Sequence, residues 1–337
     1  MPLKPEETRG MGTDKPVGVV LLQLGGPDSL EAVEPFLYNL FCDPDIIDLP
    51  LAFLFRRALA RTIAGRRAPR VQQYYARIGG RSPILNLTRR QAAALERALH
   101  PALDARVVIA MRYWHPMTDE AIDTLVAAGV ERVVLLPLYP HYSRTTTGSS
   151  LREWESALRR RGLRHFLVRT VTEYCEHPLY VAALVRNIGI ALRRVPFADR
   201  GAVHLVFSAH GTPVNLVRRG DPYQSQIVRT FEAVVREGDF GLPRHLCYQS
   251  KVGPQRWLEP SLDATIERLA RERVSHVIVI PIAFVSDHSE TLWEINIETR
   301  QEAKRLGIGY FDMSPALNTA PDYIAALRDL VMKCVTL

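Results

Sequence analysis

The chain has 337 residues, enough for one large core or two moderate ones. Apolar residues make up 47% and charged residues 23%, which excludes a disordered protein. The net charge of +7 is spread along the chain rather than gathered in a tail, and no nucleic-acid motif accompanies it, so no nucleic-acid partner is expected. Residues 1–16 are polar and lack the apolar core of a secretory signal; they read as a loose N-terminal arm. No segment has the run of apolar residues needed to span a bilayer, which leaves a cytoplasmic protein that is soluble or lies peripherally on a membrane surface. The cysteines (Cys42, Cys175, Cys247 and Cys334) are far apart and form no CxxC pair, as expected of reduced thiols.

Short β-branched runs predict strands at 17–24, 106–111, 132–138, 165–171, 203–209, 245–248 and 276–283. Amphipathic stretches between them predict helices at 87–99, 119–128, 148–160, 178–193, 222–237, 261–271, 289–306 and 321–332. This alternation predicts an α/β fold with parallel sheets and crossover helices. The two halves also echo each other. A strand ends in a glycine turn at Gly25-Gly26 and again at Gly211, and a later strand in each half meets a proline, Pro137 or Pro281. We therefore expect two Rossmann-like lobes facing a cleft, over 17–175 and 176–337.

Only the first half carries an insertion, at about 41–83. Within it Leu51, Phe55, Leu59 and Ile63 recur every fourth residue, while Arg56, Arg57, Arg61, Arg66, Arg67 and Arg70 supply a basic side. That pattern suits a membrane interface, the rim of a pocket for a large apolar ligand, or a helix packed on its own core.

The chemistry concentrates after two of the strands. His210 ends an apolar run and precedes Gly211-Thr212-Pro213; neutral imidazole binds borderline divalent metals and titrates near neutrality. Asp287, His288, Glu290 and Glu294 follow the strand at 276–283. On an α-helix the three carboxylates share one face, either as a ladder that passes a cation or as solvated acids stabilising a helix N-terminus. Ligands of open α/β sheets sit beyond the carboxyl ends of strands, so both groups are expected in one crevice, as a site for a divalent metal or for proton transfer. Arg112, Tyr113 and the hydroxyl run Thr145 to Ser150 suit a flat aromatic ligand bearing carboxylates.

The ordered motifs resemble those of ferrochelatases: Leu24-Gly25-Gly26-Pro27, Tyr75 to Ile84, Arg112 to Pro116, Thr146 to Ser150, Phe207 to Gly211, Gln249 to Pro254 and Ser286 to Leu292. The resemblance implies a lyase that inserts Fe2+ into protoporphyrin IX, releasing two protons, at the end of haem synthesis. It implies metal handling by His210 and Glu290, with His288, Asp287 and Glu294 along an inner acidic path. It implies that Leu24, Arg67, Tyr75, Ser82, Arg112 and Tyr113 contact the macrocycle or its propionates, and that the insertion is an apolar lip. His210 would accept a pyrrole proton, ligate iron, or do both. Animal members hold an iron–sulfur cluster through a cysteine where Arg144 stands here and through a C-terminal extension, so neither a cluster nor another tightly bound cofactor is expected. The oligomeric state is left open.

Overall fold

The computed structural model describes residues 15–46, 52–251 and 255–336. Most of the expected arm, Leu51 of the apolar stripe, and Val252 to Pro254 of the Gln249 motif lie outside the described residues.

Two four-stranded parallel sheets form the frame. The first holds β1 (Val17–Gln23), β2 (Ala105–Met111), β3 (Arg132–Pro137) and β4 (Leu167–Thr170) in the order β2-β1-β3-β4. The second holds β5 (Val203–His210), β6 (Arg244–Gln249), β7 (His276–Pro281) and β8 (Tyr310–Met313) in the order β6-β5-β7-β8. The repeat read from sequence is thus a repeat of topology. It extends to register: Pro137 pairs with Leu22, and Pro281 pairs with Ser208. In both sheets the residue after the proline resumes the ladder, Leu138 N–H to Leu22 O at 2.8 Å and Ile282 N–H to Ser208 O at 3.0 Å. A proline at the strand's last position costs the sheet one donor and no more.

Strands β1, β3, β5 and β7 are almost wholly buried, as parallel strands covered on both faces must be. Strand β8 is short and alternating, and periodicity did not reveal it. Among the described residues, three helices lie between β1 and β2: Val33–Cys42, Ala52–Arg77 and Ile84–Leu99. The second of these buries Ala60, Ala64 and Ala68, a line of small residues that lets it lie close to helix Val33–Cys42. Ile63 packs partly buried against the same cluster, Leu59 is partly covered and Phe55 is 67% exposed, so of these three it is Ile63 that adds to the alanine contact.

The expected helix over 289–306 exists with a different hydrogen-bond register. Glu290–Thr299 is π-helical and Arg300–Arg305 is α-helical. The corresponding place after β3, Arg144–Gly148, is also a π-turn and leads into helix Ser149–Arg160. Side-chain periodicity does not distinguish these registers, because residues four apart remain neighbours in both. Short π segments occur frequently at functional sites.

The C-terminal helix Pro321–Thr336 returns to the first lobe. It packs on helices Ile84–Leu99 and Pro178–Arg194 and on β3 and β4, and Arg328 Nε donates to Ala98 O at 2.9 Å. The largest core is continuous through both sheets, joining Leu21 and Leu136 to Phe207 and Ile280.

Candidate active site

His210 is the last residue of β5, half-exposed, with β6 on one side and β7 on the other. Its Nδ1 has no hydrogen-bond partner among the described residues and faces Glu290 Oε1 at 3.6 Å. Glu290 opens the π-helix, and its other oxygen meets His288 Nε2 at 2.9 Å. His288 Nδ1 lies 3.0 Å from the carbonyl of Ser286. A carbonyl and a carboxylate both accept, so both ring nitrogens of His288 donate and the ring is an imidazolium. Burial works against that charge, but the Glu290 carboxylate outweighs it and raises the His288 pKa. Burial likewise pushes Glu290 up, but the facing His210 ring and the charged, hydrogen-bonded His288 outweigh it and hold its pKa at about 2, so Glu290 stays ionised. The result is a carboxylate held between the His288 imidazolium and the His210 ring, whose Nδ1 has no hydrogen-bond partner among the described residues.

Glu294 lies further along the π-helix. Ser250 Oγ donates to it at 2.5 Å and Gln249 Nε2 at 3.4 Å. Burial and the neighbouring Glu290 charge push its pKa up to about 7, so it exchanges protons near neutrality. Phe284 stands edge-on to both histidines, with its centroid 6.2 Å from the His210 ring and 4.6 Å from the His288 ring.

Asp287 departs from the expected ladder. It precedes the π-helix and its oxygens are engaged, one by Thr291 Oγ1 at 3.2 Å and the other by Asn318 Nδ2 at 2.9 Å. Asn318 Oδ1 also accepts from Asp287 N–H at 3.2 Å. Asp287 therefore fastens the start of the carboxylate helix, and the line of site carboxylates begins at Glu290, with Glu294 the one that exchanges protons near neutrality.

The first lobe's residues form a second group. Arg112 follows β2 and reaches Asp43 at 2.9 Å and Ser149 Oγ at 2.7 Å. Tyr113 OH also donates to Asp43, at 2.7 Å, and the ring is 0% exposed. Tyr113 has no free surface for a ligand; it holds Asp43, and through it Arg112. Ser82 is buried against Gly26, where a Cβ would lie 2.6 Å from Ser82 Oγ, so only glycine permits this packing. Tyr75 is buried and joins the lobes, its hydroxyl 3.4 Å from Ser289 Oγ. Arg67 stacks its guanidinium over Phe41 at 5.6 Å. Leu24 is partly exposed just beyond β1.

The structure thus brings His210, His288, Glu290 and Glu294 together, with Tyr75 beside them, and separates Arg112 and Tyr113 into the Asp43 group. Sequence reasoning missed Asp43, Gln249, Ser250, Phe284 and Asn318. Of these, Gln249 and Ser250 lay in a quoted motif; the others carried no local signal.

A family model described as Ferrochelatase matches residues 16–335. The chain belongs to the ferrochelatase family. It is 48% identical over 319 residues to the ferrochelatase of Geotalea uraniireducens (strain Rf4), across 94% of this chain and 98% of that one. It is 45% identical to that of Aquifex aeolicus (strain VF5), across 93% of this chain and 98% of that one. The Synechocystis sp. ferrochelatase is 44% identical across 94% of this chain and 82% of its own length. Among solved structures, SirB from Bacillus subtilis with Fe3+ aligns at TM-score 0.54 and 12% identity over 95% of both chains. CbiX, the terminal enzyme for siroheme biosynthesis in denitrifying bacteria, aligns at TM-score 0.51 and 14% identity over 95% of this chain and 99% of that one. These two likenesses show the shared two-lobed chelatase fold. As a ferrochelatase the chain is a lyase of haem synthesis that inserts Fe2+ into a porphyrin.

Proposed function

We propose that the porphyrin is protoporphyrin IX, and that His210 and Glu290 form the insertion centre. The supporting observation is the His210–Glu290–His288 arrangement, with Nδ1 to Oε1 at 3.6 Å and Nε2 to Oε2 at 2.9 Å. Insertion replaces two pyrrole protons with Fe2+, so the site must take protons and present a cation. His210 carries the free nitrogen to accept a proton, to ligate iron, or to do both in turn. Glu290, ionised beside the charged His288, stabilises either cation. Glu294 takes protons onward, since its carboxyl titrates near neutral pH. Arg112, held by Asp43 and Ser149, meets a ring propionate, with Leu24 at the macrocycle edge. A cleft that fits a bent macrocycle better than a flat one lowers the barrier.

The preference for protoporphyrin rests on helix Ala52–Arg77. Phe55 is exposed, Leu59 and Ile63 are partly so, and arginines surround them, an arrangement suited to an apolar lip lying on an anionic membrane surface. No helix among the described residues is long and apolar enough to cross a membrane. The proposed location is accordingly the cytoplasm, with peripheral attachment to the inner face of the membrane. We also propose that no iron–sulfur cluster is bound: Arg144 points its guanidinium at Asp45, 3.0 Å away. Iron and acid-labile sulfide in purified protein, assayed without added iron, would overturn that point.

The test is anaerobic Fe2+ insertion into protoporphyrin and coproporphyrin side by side, with detergent. Preferred turnover of protoporphyrin is expected. Preferred turnover of coproporphyrin would overturn the lip reading, and binding of both without turnover would leave a carrier rather than an enzyme.

A further inference from the structure

A π-helix exchanges compact hydrogen bonding for a wider turn, and isolated π segments longer than one turn are rare. Glu290–Thr299 is ten residues long and carries both site carboxylates, Glu290 and Glu294, so something outside it must hold their geometry. Its largest side chain, Trp293, stands next to Glu294 and one turn from Glu290. The indole is 8% exposed. It meets the C-terminal end of helix Ala52–Arg77. Tyr74 stacks on it with centroids 4.9 Å apart and planes 15° from parallel, and the Arg77 guanidinium lies 5.4 Å from its centroid. Tyr74 and Arg77 are three residues apart and so share one face of their helix. On the same helix, Tyr75 reaches Ser289 Oγ, immediately before the first carboxylate.

We infer that Trp293, gripped by Tyr74 and Arg77, is a positioning residue: it fixes the carboxylate π-helix of the second lobe against the insertion helix of the first. It touches no reacting atom. Its stacking on Tyr74 and its contact with the Arg77 cation act on placement. Placement counts because a shift of about 1 Å at a reacting group can cost about 100-fold in rate. The inference rests on the reading of Glu290 and Glu294 given above.

The experiment compares Trp293→Leu, Trp293→Phe and the double variant Tyr74→Leu with Arg77→Leu in steady-state Fe2+ insertion. Trp293→Leu should lower kcat about 10-fold or more while the porphyrin KM stays within about twofold. Trp293→Phe keeps an aromatic face and should recover most of the loss. The double variant removes the grip from the partly exposed helix, so it reports even if Trp293→Leu does not fold, and it should reproduce the kcat loss. Wild-type kcat in the double variant, or equal loss in the Phe and Leu variants, would overturn the positioning role. Loss of activity in Glu290→Gln tests the reading beneath it separately, so failure of one is not mistaken for failure of the other.

Discussion

The two lobes share strand order, proline register and a π-turn after the third strand, yet the proposed insertion centre lies in the second alone. Matching Leu22 with Ser208 through their proline partners places Leu24 where the second lobe has His210. Matching Pro137 with Pro281 places Thr146 where the second lobe has Glu290. One strand-end position therefore holds an apolar side chain in the first lobe and an imidazole in the second. Between them they can supply a ring edge on one wall and proton chemistry on the other. A doubled scaffold supplies two such walls, and single residues at equivalent places decide what each wall does.

The sharpest way to break this asymmetry is at its centre. His210→Ala should lower insertion about 1,000-fold while porphyrin still binds, measured by anaerobic turnover and fluorescence titration. Rates near wild type would remove the second lobe's claim to the chemistry. Glu290→Gln should cost about 100-fold, because the charge beside His210 disappears while the shape remains. The converse replacement, Leu24→His, should gain nothing in a His210→Ala background, since Thr146 holds the position that Glu290 holds in the second lobe; recovery of turnover would show that the lobes are interchangeable.

Smaller effects belong to stability. Gly26→Ala forces a Cβ against Ser82 and should destabilise by about 1–3 kcal/mol in urea unfolding, with the midpoint lowered. Glu294 gives a pH signature. Its folded pKa of about 7 lies above the ordinary 4.5, so its contribution is complete below about pH 4.5 and is lost as pH rises through about 7. Without iron, wild-type stability should fall over that window by at most about 3 kcal/mol relative to Glu294→Gln. Parallel curves for the two proteins would show that the carboxyl is not held protonated.

Much of the frame was readable because buried parallel strands announce themselves as β-branched runs, and Pro137 and Pro281 punctuate them alike. That His210 and Glu290 would come together was readable because they sit at strand and helix ends, where ligands of such sheets gather. Strand β8, Tyr-Phe-Asp-Met, was missed because it is four residues long and contains no β-branched side chain. The π register was missed because side-chain spacing does not encode which carbonyl an N–H reaches. Asn318 and Asp43 act on Asp287 and Arg112 across long stretches of chain, and only folding makes those pairs neighbours.

The return of helix Pro321–Thr336 to the first lobe also bears on biosynthesis. A ribosome releases β1 to β4 long before the segment that covers β3 and β4 emerges. Until then that sheet face has no lid, and its apolar side chains are open to water and to other nascent chains. The first lobe is thus begun first and finished last. Chains truncated after β8 should collect as aggregates despite containing every residue of the proposed insertion centre, a result that sedimentation of a 1–320 fragment against the full chain would reveal.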